Sequence, residues 1–346
     1  MEKIEMNYRD TTVDIAKGLG IFLVVLGHVP IPMWLCTPIY LFHMPLFFFL
    51  SGMFFHPEEK FGYGIYKKIR TLIVPCLFFA VCGNGSNMLR DLMVYHTMHG
   101  KSIFSIFNAA HTPLWFLVSL FGCYLLTAIT SRFSRPWTWK LLVVGSLFWG
   151  GGIGVLLCHN RIELPMWGTH VLLMQFYYIL GYVARQVRWG HVTIFAKIVN
   201  ASREVNLVML AGFIACCLPF SIRPSVATLD FYHPILFLIG SLSGICLCLK
   251  ACKVIDGLKW WLSVKCQEMG NLSLFILGFH FFVIFHLYFL AIPMLMRTAG
   301  LWGILFEGEY LRNCYWLGIA FVIPSIWISM VLGKFCMRRL KVFFKM

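Results

Sequence analysis

Ten apolar stretches, each long enough or nearly long enough to cross a bilayer, run along this chain and indicate a membrane fold. A helix needs about 20 residues to cross about 30 Å of hydrocarbon, and within a bilayer every backbone polar group must be bonded internally. We therefore predict an all-α fold, a polytopic membrane bundle of about ten transmembrane helices. The predicted spans are residues 12–32, 38–56, 71–90, 113–130, 139–158, 170–184, 205–222, 233–249, 272–290 and 313–333.

The composition excludes the main alternatives to a membrane protein. Of the 346 residues, 60% are hydrophobic and only 12% are charged, whereas about 25% are charged in an ordinary soluble domain. A soluble globule of this size cannot bury so much apolar surface, and a disordered chain would be far more polar. The net charge of +15 does not indicate nucleic-acid binding, because the basic residues fall in short clusters between the apolar stretches.

Those basic clusters predict the orientation of the chain. With the N-terminus in the cytoplasm, 23 of the 29 Lys and Arg residues fall on the cytoplasmic side and 6 on the other side. Cytoplasmic loops of membrane proteins carry such an excess of Lys and Arg. We therefore expect both termini in the cytoplasm, with short tails at about 1–11 and 334–346, and a single membrane domain over 1–346.

The first span carries three polar side chains that a bilayer disfavours, and such groups mark candidate functional sites. Asp14 precedes Lys17 by three residues, so the two can form an ion pair on one helix face. His28 follows Lys17 by eleven residues, which places both on nearly one face, about 16 Å apart along the helix axis. The helix therefore presents a polar stripe that ends in a histidine.

His43 lies near the start of the second span, at the predicted depth of His28. The connecting loop is short, so we expect the two helices to be adjacent and both histidines to reach one polar cavity. The alternative for each ring is a packing role, in which it bonds a backbone carbonyl. Two histidines without a nearby carboxylate or thiolate are weak evidence for zinc, and the 13 cysteines include no C-x-x-C pair. We predict no metal, and we expect the cysteines to be small buried side chains.

Lys67 and Arg70 lie three residues apart where the third span begins. Paired cations at a membrane boundary suit a phosphorylated ligand from the cytoplasm. Topogenic anchoring or contact with anionic lipid explains the same pair, and spacing alone favours that plainer interpretation. Trp115 opens the fourth span and is most simply an interfacial aromatic residue. Farther along, His280 lies near mid-membrane and either lines the same cavity as His28 or bonds across helices.

Taken in order, these residues resemble the acyltransferase-3 family of integral-membrane O-acyltransferases, and most closely its fucose-4-O-acetylase-like, bacterial polysaccharide branch. The resemblance covers nearly the whole chain, although lysine stands at two positions where many members have arginine. The family's basic-x10-His motif fits Lys17 and His28, and its basic-x-x-Arg motif fits Lys67 and Arg70. Its Trp-Phe-Leu element fits Trp115 to Leu117. Its late element, Gly-x-x-Ser followed by His, fits Gly270, Ser273 and His280.

The resemblance implies a multi-pass O-acetyltransferase of the cell inner membrane, with acetyl-CoA as donor and a carbohydrate acceptor. His28 would act as general base or carry the acetyl group transiently, and the sequence is compatible with both mechanisms. The implied donor-binding residues are Lys17, Lys67 and Arg70, and the implied supporting residues of the cavity are Asp14, His43, Trp115, Ser273 and His280.

A polytopic transporter that moves a glycan or an acylated sugar without chemistry is the alternative. Buried histidines fit a transporter too, but the sequence shows none of the internal symmetry that many transporters have. Neither interpretation fixes the acceptor sugar, the acyl length or the oligomeric state.

Overall fold

The computed structural model describes residues 10–57, 60–95, 113–133, 144–160, 162–189, 191–218, 223–230, 233–286 and 315–339. Within these ranges the chain is almost entirely helical. The helices are α1 (Thr11–Gly27), α2 (Met33–Gly52), α3 (Phe61–Lys68), α4 (Val74–Tyr95), α5 (Trp115–Phe133), α6 (Val155–His159), α7 (Gly168–Gln186), α8 (Ile194–Val199), α9 (Arg203–Cys217), α10 (Pro234–Leu258), α11 (Trp261–Asn271), α12 (Ser273–His286) and α13 (Tyr315–Arg339).

Short irregular segments connect several of these helices. A π-helical turn, Ile69–Ile73, joins α3 to α4, and a longer π-helical segment, Leu147–Gly154, leads into α6. A 3-10 turn, Pro165–Trp167, precedes α7. Between α7 and α8, β1 (Arg188–Trp189) pairs antiparallel with β2 (Val192–Thr193).

Four helices in the described ranges are long and apolar enough to cross a membrane: α2, α5, α10 and α13. The pair α11 and α12 qualifies as a fifth candidate if taken together, although the two are bent by 83° at the break between them. On α13 the side chains of Trp316, Ile323 and Trp327 are 85%, 72% and 65% exposed, as a lipid-facing surface requires. The chain therefore folds as a helical membrane protein.

The finer topology stays a prediction. Each of the ten predicted stretches overlaps helical residues, yet fewer than ten helices in the described ranges meet the length and hydropathy that a span needs. The predicted N-terminal tail lies mostly outside the described residues. The described part of the predicted C-terminal tail is helical, because α13 continues to Arg339.

Helix α1 lies at the centre of the fold, where it packs against α2, α10, α11, α12 and α13. Of its 17 residues, 12 are buried. Its first turn is capped by the Asp10 carboxylate, which accepts from the Thr12 amide, and is tied to α10 through the Thr11 hydroxyl, which donates to Asp256 at 2.8 Å. A helix with a polar stripe is stable at this position because the stripe faces protein rather than lipid.

Glycine allows α11 to pack backbone to backbone against α1. A methyl group added at Gly18 would overlap the carbonyl oxygen of Cys266, and one added at Gly270 would overlap the carbonyl oxygen of Asp14. Both contacts are far inside van der Waals distance, so neither position accommodates a side chain without moving a helix. Gly270, which the sequence places in a functional motif, thus has a packing role in the fold.

Candidate functional site

His28 is the first residue after α1, and its ring is held by that helix. Its Nδ1 lies 2.7 Å from the backbone carbonyl oxygen of Val24. A carbonyl oxygen can only accept, so Nδ1 carries the proton and the lone pair of the neutral ring lies on Nε2. In the neutral ring this geometry leaves Nε2 of His28 unprotonated, as a general base or a nucleophile requires.

His43 and His280 are held in the same way on their own helices. The Nδ1 of His43 lies 2.7 Å from the carbonyl oxygen of Ile39, and that of His280 lies 2.8 Å from the carbonyl oxygen of Ile276. The rings of His28 and His280 meet edge to face, with centroids 4.9 Å apart. The Nε2 of His280 is buried and finds no hydrogen-bond partner among the described residues. In their neutral forms, three histidines held by three different helices thus present the same tautomer.

His28 lines a cavity of about 380 Å³, which we name the His28 cavity. His43 and Trp115 line it too, so the structure brings three of the sequence-predicted residues to one space. Polar groups that the sequence did not single out, Arg223 and Asp230, also line it. This mixture of aromatic rings, a base and charged groups suits a polar ligand with several hydroxyls.

A second cavity, of about 150 Å³, lies around Lys17, and we name it the Lys17 cavity. Its polar lining comes from Lys17, Ser51, Thr71 and Ser273, and most of the remaining wall is aliphatic or aromatic. Lys17 also pairs with Asp14, with Nζ 3.6 Å from Oδ1. The narrow apolar body with a cation and hydroxyls suits a slim chain that ends in polar groups.

The two cavities share three wall residues, Val24, Met44 and Leu277. Each lies close in sequence to one of the three histidines: Val24 precedes His28 by one turn, Met44 follows His43, and Leu277 precedes His280 by three residues. The cavities therefore lie in series along α1, and their common wall stands beside His28. We call these three residues the shared wall.

Lys67 and Arg70 do not line either cavity. Lys67 is exposed near the end of α3, and Arg70 is half-buried in the π-helical turn that follows. The next residue, Thr71, does line the Lys17 cavity, and its hydroxyl donates to the carbonyl oxygen of Lys67 at 2.9 Å. The basic pair therefore lies at the edge of the Lys17 cavity rather than within it.

Arg185, one of the Lys and Arg residues counted above on the predicted cytoplasmic side, joins the basic residues near the Lys17 cavity. The Nζ of Lys17 and the Cζ of Arg185 each lie 4.9 Å from the ring centroid of Phe54. A cation over an aromatic face is stabilised by the ring quadrupole. Arg185 is on α7, far from Lys17 in sequence, so no local pattern indicates this pairing.

Arg223 is another residue whose place at the site the sequence did not predict. Its guanidinium lies 3.8 Å from the ring centroid of Tyr40 and donates through Nη2 to the carbonyl oxygen of Gly27 at 3.3 Å. The Tyr40 hydroxyl donates to that same carbonyl at 2.8 Å, so the end of α1 is held from two sides next to His28. Partial desolvation lowers the pKa of Arg223, but a guanidinium stays charged at neutral pH.

Trp115 belongs to an aromatic cluster that fixes one wall of the His28 cavity. Its ring centroid lies 5.2 Å from that of His170 and 6.0 Å from that of Trp167. His170 in turn lies with Nε2 3.2 Å from the carbonyl oxygen of Ala227. Ala227 belongs to the described loop 223–230, which lines the cavity, so the cluster positions the loop that carries Arg223.

Across the described ranges, no three His, Cys, Asp or Glu side chains lie close enough together to hold a metal ion. The 11 cysteines whose side chains the structure describes are all free thiols, and most are buried. These cysteines therefore pack as small apolar side chains within the bundle.

Comparison with known proteins gives a family match over most of the chain. Residues 10–337 match an acyltransferase domain, that of the acyltransferase-3 family. Nodulation protein NolL of Mesorhizobium japonicum is 27% identical over 157 residues, which are 38% of this chain and 39% of that protein. Nodulation protein NolL of Sinorhizobium fredii is 25% identical over 234 residues, which are 62% of this chain and 57% of that protein. The matches thus span less than two thirds of the length of either relative. No solved structure matches the chain.

Proposed function

Because this chain belongs to the acyltransferase-3 family, we propose that it moves an acetyl group from cytoplasmic acetyl-CoA to a sugar hydroxyl of a cell-surface or lipid-linked glycan. We further propose that it does so as one inner-membrane domain with both termini in the cytoplasm. The observation that carries the proposal is the pair of cavities in series, with Lys17 in one, His28 in the other and a shared wall between them.

The Lys17 cavity is assigned to the donor. Its apolar lining would contact the thioester arm of acetyl-CoA, and its cation and hydroxyls would meet the polar end of that arm. The phosphates of coenzyme A would lie outside the narrow part, where Lys67 and Arg70 stand at its edge and Arg185 stands near Lys17. Charge-assisted hydrogen bonds to phosphate are about twice as strong as neutral ones, which suits such a basic rim.

The His28 cavity is assigned to the acceptor. In direct transfer, Nε2 of His28 takes the proton of the sugar hydroxyl while the hydroxyl oxygen bonds to the thioester carbon. The carbon–sulfur bond then breaks, and the departing thiolate of coenzyme A is protonated. In the covalent variant, Nε2 bonds to the acetyl carbon as the carbon–sulfur bond breaks and the thiolate of coenzyme A leaves. The sugar hydroxyl oxygen then bonds to that carbon, the nitrogen–carbon bond breaks, and the hydroxyl proton passes to Nε2. Both variants need the free lone pair that the Val24 hydrogen bond leaves on Nε2.

The proposed function is tested with the purified full chain in lipid nanodiscs. Acetyl-CoA labelled in its acetyl group is the donor, and membranes of the producing cell supply the acceptor glycan. We expect release of coenzyme A together with base-labile label in the glycan, and loss of both on His28→Ala. The matched control is His56→Ala, because His56 is exposed and lines neither cavity. Glycan movement across vesicles without coenzyme A release would favour the transporter instead.

A further inference from the structure

Arg223 places a positive charge at the wall of the proposed acceptor cavity. The residue is exposed, it lines the cavity together with His28, and among the described residues no carboxylate forms an ion pair with it. Its observed partners are the Gly27 carbonyl and the face of the Tyr40 ring. Neither partner carries a negative charge, so no residue in the described ranges neutralises the cation at the cavity wall.

A guanidinium has more donors than these contacts use. It carries five N–H groups in a planar fork, and the Gly27 carbonyl takes one of them at 3.3 Å. The fork matches the two oxygens of a carboxylate or a phosphate, which accept parallel hydrogen bonds from it. Tyr40 lies against the guanidinium and thereby restricts its position before any ligand arrives. Arg223 is therefore pre-organised for an oxyanion.

The rest of the loop adds a complementary group. Backbone hydrogen bonds in both directions, of 2.9 and 3.0 Å, pair Ser225 with Asp230 and hold the loop closed. Asp230 lines the cavity as well. A carboxylate accepts hydrogen bonds from hydroxyls but repels an anion. The wall at Asp230 therefore favours a hydroxyl of the ligand, whereas the wall at Arg223 favours its anionic group.

We propose that Arg223 binds an anionic group of the acceptor, either the carboxylate of an acidic sugar or a phosphate attached to the glycan. The inference rests on the proposed function, because it takes the His28 cavity as the acceptor site. The inference extends that function by one statement: the acceptor carries a negative charge close to the hydroxyl that is acetylated. A purely structural role for Arg223, capping the last carbonyl of α1, is the competing explanation.

Binding of small probes to the purified full chain separates the two explanations. Thermal-shift titrations in detergent use acetate, glucuronate and inorganic phosphate as anionic probes and glucose as the neutral one. We expect Arg223→Gln to weaken binding of the anionic probes about 10-fold while binding of glucose is unchanged. Arg223→Lys, which keeps the charge but loses the fork, should lie between. Comparison of glucuronate with phosphate shows which source of the oxyanion the site prefers.

Three further variants make the result decisive. Asp230→Asn should strengthen binding of the anionic probes, because it removes a negative charge from the same wall. If phosphate binds at the donor cavity instead, Arg70→Gln should weaken its binding. Arg188→Gln is the control, because it removes a charge from an exposed residue that lines neither cavity.

Two results of the probe titrations overturn the inference and leave Arg223 its capping role. One is equal wild-type affinity for glucuronate and glucose, and the other is no anion binding in the wild type. If the protein acetylates only neutral glycans, the inference falls while the proposed function stands. If anions bind at Arg223 but no acetyl group is transferred, the proposed function falls while the anion site stands.

Discussion

The ring of His280 meets the ring of His28 edge to face at 4.9 Å, and both rings donate from Nδ1 to their own helix backbones. Neither ring can rotate without breaking that hydrogen bond. The lone pair of His28 therefore keeps a fixed direction, which is what a catalytic base needs.

The first prediction concerns His28. His28→Ala should lower glycan acetylation by at least about 10²–10⁴-fold, because the group that activates the hydroxyl is lost. Coenzyme A should still bind, since the donor cavity lies on the other side of the shared wall. His43→Ala should lower acetylation less, because the ring of His43 lies against that of Tyr40 and supports the cavity wall. Near-normal acetylation by His28→Ala at saturating donor would reduce His28 to a packing residue.

The second prediction concerns the donor end. Arg70→Glu should weaken binding of acetyl-CoA about 10-fold or more, because a negative charge at the edge of the Lys17 cavity repels the phosphates. Binding is measured with radiolabelled donor on monodisperse protein. Arg188→Glu on the exposed hairpin reverses a charge away from the cavity and should leave binding unchanged. An unchanged dissociation constant for Arg70→Glu would leave this arginine only its topogenic role.

The third prediction concerns topology. The excess of Lys and Arg in alternate loops predicts that both termini are in the cytoplasm. Reporters that are active on only one side of the membrane, fused separately to each terminus, should both report the cytoplasm. A reporter within the loop 223–230 should report the opposite side, because this loop lines the cavity beyond the end of α1. A terminus found outside would reverse the assignment of donor and acceptor sides.

The fourth prediction concerns the contact of α1 with α11. Gly270→Ala should destabilise the protein by about 1–3 kcal/mol, because the new methyl group meets the Asp14 backbone and the helices must separate. Thermal unfolding in detergent measures the effect. Gly257→Ala is the matched control, since nothing lies within 4 Å of a methyl group there. Similar melting temperatures for both variants would show that the close contact carries no stability.

The helical membrane character of the chain could be predicted from sequence, because long apolar runs determine it locally. A common face for Lys17 and His28 follows from 3.6 residues per turn alone, and in the structure each of them lines one of two cavities that share wall residues. Arg223 and Arg185 could not, because each reaches the site through a contact with a residue far away in sequence. The packing role of Gly270 could not be predicted either, because a Gly-x-x-Ser motif does not show which helix packs against the glycine. The 83° break between α11 and α12 also depends on how these helices pack.

The fifth prediction concerns the shared wall. Val24, Met44 and Leu277 stand between the proposed donor arm and the acceptor, so their side chains should limit how far an acyl group can extend. Leu277→Ala shortens this wall and should raise the rate with butyryl-CoA relative to acetyl-CoA by about 10-fold, in line with the free energy of a few methylenes in an apolar pocket. Leu277→Phe should lower transfer of every acyl group. Competition between the two donors, followed by mass spectrometry of the glycan esters, measures the ratio directly.

The control for the shared wall is Leu236→Ala, which removes the same atoms from a leucine of α10 that lines neither cavity. This variant should keep the wild-type preference for acetyl-CoA, because the passage between the cavities is unchanged. A general loosening of the bundle would instead alter the preference in both variants. If Leu277→Ala and Leu236→Ala both show the wild-type preference, the acetyl group does not pass this wall, and the two cavities serve separate ligands.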